Sequence, residues 1–91
     1  MPQPLDQPRY RALQWAMAAM RKQAALSQVQ LAERLDLGQS FVSKIERGQA
    51  YIELGLFIDW CEACGVKPGA MLDGLLARQR KHDDRAALSR G

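Results

Sequence analysis

Five polar residues, Gln39, Ser40, Ser43, Lys44 and Arg47, point away from Val42 and Ile45 when residues 39–47 are wound as a helix. A helix fits the major groove of DNA, where glutamine pairs well with adenine, and lysine or arginine with guanine. The other groups with reactive chemistry are two thiols, Cys61 and Cys64, and a single histidine, His82. Their C-x-x-C spacing is that of zinc sites and thioredoxin-like motifs, yet zinc takes about four ligands and only His82 remains to join the pair. A redox motif of that kind opens a helix after a strand, whereas this pair closes a helix and shares its apolar face. Buried free thiols packing as small hydrophobes are the expectation, with redox sensing as the alternative. A nucleophile needs a base, and the one histidine lies in a polar tail; the chain has no glycine-rich phosphate loop and no carboxylate pair flanking a plausible pocket. No metal, no cofactor and no enzymatic activity are expected.

The elements that must hold the five polar residues lie between Ser27 and Gly48. Apolar residues fall at Leu31, Leu35, Leu37, Val42 and Ile45, and the small Ala32 sits where a second helix must approach most closely. That spacing predicts two short helices crossing over a tight turn, a helix-turn-helix. Ser27 with Gln30 three residues on is a capping-box pair for the first helix. The periodicity breaks at Asp36-Leu37-Gly38 and resumes with Val42; Gly48, with Arg47 before it, suits the exit of the second helix.

These residues resemble the Cro/C1-type, or Xre, family of helix-turn-helix regulators of phages and bacteria. The resemblance covers roughly residues 17–76 and rests on LSQVQLAERL, QSFVSKIERG and the later GVKPGAML. Two departures are visible: the turn position usually filled by glycine is Asp36, and the usual Ser or Thr cap of the second helix is Gly38. Asp visits the left-handed region readily and Gly is an acceptable cap, so the turn survives both. The resemblance implies an all-α, lambda-repressor-like DNA-binding domain of five helices with a central helix-turn-helix. It also implies base-reading roles for Gln39, Ser40, Ser43 and Lys44, a backbone contact for Arg47, and a phosphate clamp at Gln28 aided by the positive end of its helix. A largely buried ion pair between Arg21 and Glu46 is implied in the same way. Phe41 is open between packing, touching a thymine methyl and half-exposure, with packing favoured. Tyr51 can offer its hydroxyl to a phosphate or anchor a loop.

The rest of the chain reads as helices of one small domain over residues 8–77, followed by a polar tail, 78–91, that extends the last helix by a turn or two. The first helix is expected from Pro8 to Gln23, with Tyr10, Leu13, Met17 and Met20 inward and Trp15 off that face. The fourth is expected from Ile52 to Cys64, with Leu54, Phe57, Ile58, Cys61 and Cys64 on one side, and Gly65 ending it. Pro68 opens a fifth that carries Met71, Leu72, Leu75 and Leu76. Leu56, Trp60 and the fifth-helix residues Met71, Leu72, Leu75 and Leu76 exceed what the core consumes. They predict an apolar strip for a homodimer that meets a two-fold DNA site.

The net charge of +3 hides an uneven distribution: residues 1–26 carry four basic and one acidic side chain, and residues 49–77 carry one basic against four acidic. One face can therefore meet phosphates while another avoids them. No apolar run approaches the roughly 20 residues of a membrane span and no signal peptide is apparent, so a cytoplasmic protein is expected. The expected function is sequence-specific binding of double-stranded DNA by a homodimeric transcriptional repressor. The alternative is a protein-interaction module, such as an antitoxin that neutralises a toxin and also binds DNA.

Overall fold

The chain turns at four residues with left-handed backbone, Ala25 (φ 58), Asp36 (φ 54), Gly48 (φ 73) and Gly65 (φ 74). In this computed structural model they separate five helices: α1 (Pro8–Gln23), α2 (Gln28–Leu35), α3 (Gln39–Glu46), α4 (Leu54–Ala63) and α5 (Pro68–Ser89). The structure describes residues 7–89, and for 79 and 81–89 the helical backbone alone. At each turn the amide following the left-handed residue donates to a carbonyl five residues back. The bonds are Leu26 N to Arg21 O at 3.1 Å, Leu37 N to Ala32 O at 2.9 Å, Gln49 N to Lys44 O at 2.8 Å and Val66 N to Cys61 O at 2.8 Å. This 6→1 closure satisfies helix-end carbonyls that have no partner within the helix. Ala25 has a Cβ to accommodate there, at a cost of roughly 1–2 kcal/mol. The Arg21 Nη1 donates to Leu26 O across the same turn, at 2.9 Å, and helps hold it.

Helix starts are equally specified. Ser27 Oγ accepts from Gln30 N at 3.0 Å while Gln30 Oε1 accepts from Ser27 N at 2.9 Å, the reciprocal capping box expected of that pair. Gly38 caps α3 through its extended backbone without a side-chain bond. Glu53 caps α4 by accepting from Gly55 N at 3.0 Å, so α4 starts at Leu54 rather than Ile52.

Helix α1 packs on α3, α4 and α5, α2 packs on α3 and α4, and α4 packs on α5. The core between them contains Met17, Met20, Leu26, Leu31, Ala32, Val42, Ile45, Phe57, Trp60 and Cys61. Trp60 lies at its centre with no exposed surface, and its Nε1 donates to Met17 O at 3.0 Å. An indole buried with its one donor satisfied contributes a large apolar area without a polar penalty.

This placement corrects two expectations. Trp60 belongs to the core and not to a surface strip, and Leu56 and Met71 are partly buried against that core. Leu54 and Ile58, expected inward, are 68% and 36% exposed. Helix α4 is apolar outside the exposed Asp59 and Glu62, and two stripes at helical spacing share Phe57 and Cys61; the one that also takes in Trp60 lies opposite those two acids and buries the larger side chain. The exposed leucines of α5 are Leu72 and Leu76, with Leu75 half-buried. Helix α5 runs to Ser89, well past the turn or two expected, because no Gly or Pro interrupts it after Gly74 and its Ala, Arg, Gln and Lys residues favour helix.

Candidate nucleic-acid interface

Helix α3 buries Val42 and Ile45 and leaves Gln39, Ser40, Lys44 and Arg47 exposed, with Ser43 half-exposed. The four expected base readers and Arg47, the C-cap residue, therefore share the outward side of α3 and its exit. Arg47 lies back along it, its Nε 3.3 Å from Ser43 O, which places its guanidinium at the edge of that face. Phe41, 37% exposed, stands beside them instead of packing fully inward.

Behind α3 runs a chain of side-chain hydrogen bonds spanning three helices. Gln39 Nε2 donates to Gln28 Oε1 at 2.8 Å, and Gln28 Nε2 donates to Glu46 Oε1 at 3.2 Å. Arg21 grips the same carboxylate with two donors, Nε to Oε2 at 2.6 Å and Nη2 to Oε1 at 2.9 Å. The ion pair is largely out of water, its side chains 12% and 7% exposed. That bidentate geometry is the strongest form of arginine–carboxylate contact. Bonding to Glu46 raises the pKa of Arg21 further above its ordinary value, against the opposing effect of burial, so this guanidinium stays charged.

Chemistry fixes the direction of the chain. A carboxylate only accepts, so Gln28 must turn its amide nitrogen to Glu46 and its oxygen to Gln39, and Gln39 must answer with its own nitrogen. The Oε1 of Gln39 and its second N–H are left for an outside partner. Gln28, expected only as a phosphate clamp, is therefore also the link that aims Gln39.

Two residues of this region were not singled out in the sequence as site residues. Gln14 Nε2 donates to the main-chain carbonyl of Glu46 at 2.6 Å, tying α1 to the last residue of α3. Tyr10, expected as a core residue, is half-buried and meets Tyr51 edge to face, with ring centroids 6.2 Å apart. Tyr51 is thus anchored by its ring, as a loop anchor would be, while 59% of it stays exposed. The available signal was the spacing of Tyr10, Gln14, Met17 and Arg21, which places all four on one stripe of α1.

The thiols take no part in this surface. Cys61 has no exposed area, its Sγ lies 3.6 Å from Met20 Sδ, and burial, aided by neighbouring Cys64, pushes its pKa up to about 11. Burial also raises Cys64. Reactive cysteines are shifted the other way, so these two behave as packing groups. Among the described residues no cluster of His, Cys, Asp and Glu is placed to hold a metal, and no helix is long and apolar enough to cross a membrane.

Comparison with known proteins bears on the same segment. The family model described as helix-turn-helix matches residues 17–70. An XRE-family like protein from Pseudomonas syringae pv. tomato str. DC3000 is 38% identical, with a TM-score of 0.73 over 77% of this chain and 85% of that one. Two crystal structures of the clp gene regulator ClgR from Corynebacterium glutamicum share the fold at lower identity. One is 24% identical, with a TM-score of 0.66 over 74% of this chain and 86% of that one. The other is 23% identical, with a TM-score of 0.72 over 96% and 92%. No curated protein sequence matches the chain.

Proposed function

The chain belongs to the Cro/C1-type, or Xre, family of helix-turn-helix regulators and is a DNA-binding transcriptional regulator, and on that premise we propose that it represses transcription as a homodimer on a two-fold operator. Helix α3 enters the major groove, where Gln39, Ser40, Ser43 and Lys44 meet base edges. Gln28, Arg47 and Tyr51 meet the phosphate backbone. The observation that carries this reading is the oriented chain from Glu46 through Gln28 to Gln39. It leaves Gln39 one accepting oxygen and one N–H donor, the pair that the N6 amine and N7 of adenine call for. Lys44 offers its charge one turn further along, suited to the acceptors of guanine. The seam between two copies includes Leu72, Leu75 and Leu76, with Leu56 and Met71 behind them, and brings the two α3 helices roughly 34 Å apart, one turn of B-DNA. The protein acts in the cytoplasm, by binding and not by catalysis.

Selection of bound fragments from the source genome by the full chain tests the proposal. The expected motif is two-fold, with adenine and guanine positions in each half-site. Gln39→Ala and Lys44→Ala should each cost about 1–3 kcal/mol at the selected site and relax preference at different positions. Gln28→Ala should weaken all sites and, since Gln28 aims Gln39, also relax the adenine position. Unchanged affinity and preference in both α3 variants would remove α3 as the reading helix.

A further inference from the structure

Helix α3 is held differently at its two ends. Its first residue, Gln39, is tied to α2 through Gln28. Its last residue, Glu46, shares its carboxylate between Gln28 of α2, at 3.2 Å, and Arg21 of α1, and it alone is tied through its backbone, where Gln14 of α1 donates to the main-chain carbonyl at 2.6 Å. The carbonyl tie differs in kind from the ion pair. A carboxylate on a flexible side chain can keep its partner while the helix moves, whereas a bond to a backbone oxygen fixes the position of the last turn itself. Gly48, immediately beyond, fits the same arrangement. A Cβ there would lie 2.6 Å from Gln14 Oε1 and 3.0 Å from its Cδ, so the Gln14 amide occupies the space that the missing side chain leaves. One turn earlier on α1, Tyr10 braces Tyr51 at the far side of the same exit.

We infer that Gln14 is a positioning residue for DNA recognition: from α1 it sets the depth and tilt of the C-terminal turn of α3, and hence the bases read by Ser43 and Lys44, while leaving those read by Gln39 to the Gln28 tie. The inference rests on the proposal that α3 reads DNA. It assigns sequence discrimination to a side chain through the N–H that it donates to the protein's own backbone. Its signature is polarity along the half-site, since losing Gln14 frees one end of the reading helix and not the other.

The test is a base-by-base preference map, measured by competition with single-substitution operators, for the full-length parent, Gln14→Met and Gln14→Glu. Methionine keeps the volume and removes the donor; glutamate keeps the shape and puts an acceptor against the carbonyl. Both should lower discrimination at the Lys44 and Ser43 positions by about fivefold or more and leave the Gln39 position within about twofold of the parent. Thermal melts run alongside, and the comparison is made with both variants folded at the assay temperature. Gln39→Ala and Lys44→Ala, mapped in parallel, separate the two ideas. If those variants change nothing, the reading helix itself is misassigned. If they relax their own positions while Gln14→Met and Gln14→Glu keep the parent map, or flatten every position alike, the positioning role of Gln14 is overturned. A Gln14→Glu variant too unstable to map leaves the decision with Gln14→Met; should both melt below the assay temperature, Gln14 is structural and the inference fails.

Discussion

Glu46→Gln replaces one oxygen by an amide and tests the junction on which both fold and interface depend. In the parent, the carboxylate receives two donors from Arg21, at 2.6 and 2.9 Å, and one from Gln28 at 3.2 Å. A glutamine there has one accepting oxygen for three donors, and its own NH2 group must confront either the guanidinium or the Gln28 amide. The charge on Arg21 remains, with only 12% of its side chain reaching solvent. Stranding one partner of a buried pair costs about 3–5 kcal/mol; the partial exposure of Arg21 places this case near the lower figure. For a domain of this size each kcal/mol moves the melting temperature by about 4–8 °C, so the variant should melt roughly 12–24 °C below the parent. Circular dichroism melts at low and high salt provide the assay, since a pair this far from water should respond weakly to screening. A melting temperature within about two degrees of the parent would refute the reasoning, because an exposed pair contributes only about 0–1 kcal/mol. A second arm separates stability from recognition. Replacing both partners with apolar residues of similar volume should recover much of the stability. It should not restore preference at the Gln39 position, because Gln28 then has no acceptor to set its direction.

Gly48→Ala should destabilise by about 1–2 kcal/mol from its left-handed backbone alone, and more where the new Cβ displaces Gln14; a melt within about one degree of the parent would contradict that. Cys61 in the folded protein ionises near pH 11, above its ordinary 9.0, so its contribution to stability is complete below about pH 9 and is lost as pH rises toward 11. Denaturant melts of parent and Cys61→Ala should therefore differ in slope against pH in that window and nowhere below it, and iodoacetamide should spare Cys61 at pH 8 until the chain unfolds. Leu72→Asp with Leu76→Asp should convert a sedimenting dimer to the 10.2 kDa chain without lowering the monomer's helicity; a parent already sedimenting at 10.2 kDa at micromolar concentration would remove the seam.

Local signals were legible wherever a residue type has one dominant structural use. The capping box at Ser27, the left-handed exit at Gly48 and the proline opening α5 each depend on chemistry within a few residues, and each stands where that chemistry puts it. The same reasoning gave α1 an inward stripe in which Met17 and Met20 are buried and Tyr10 and Leu13 half-buried, and left Trp15 exposed. It failed on α4 because Leu54, Leu56, Phe57, Ile58, Trp60 and Cys61 occupy most of its circumference, so apolar spacing alone fits two faces; the exposed Asp59 and Glu62, three residues apart, mark the polar side opposite Trp60. There the choice of face belongs to volume and to a distant hydrogen-bond acceptor, Met17 O, 43 positions away in sequence. The length of α5 was underestimated for the opposite reason: a polar surface helix shows little apolar periodicity, and only the absence of breakers marks its extent.

The candidate site shows a deeper limit of linear reading. Residue types placed Gln39, Ser43 and Lys44 on the outward face of α3, and periodicity suffices for that. Which way an amide points is decided elsewhere, by the fact that the chain of hydrogen bonds ends on a group that can only accept. Glu46 receives Arg21 and Gln28 on its carboxylate and Gln14 on its carbonyl, so contacts from α1 and α2 converge on the last residue of α3. Such convergence couples two properties that substitutions elsewhere can tune separately. Weakening Glu46 lowers stability and, through Gln28, also frees the donor–acceptor face of Gln39. A variant that regains stability by apolar replacement of the ion pair should therefore remain a poor reader of DNA, because the energy of the fold can be supplied by packing and the direction of a hydrogen bond cannot.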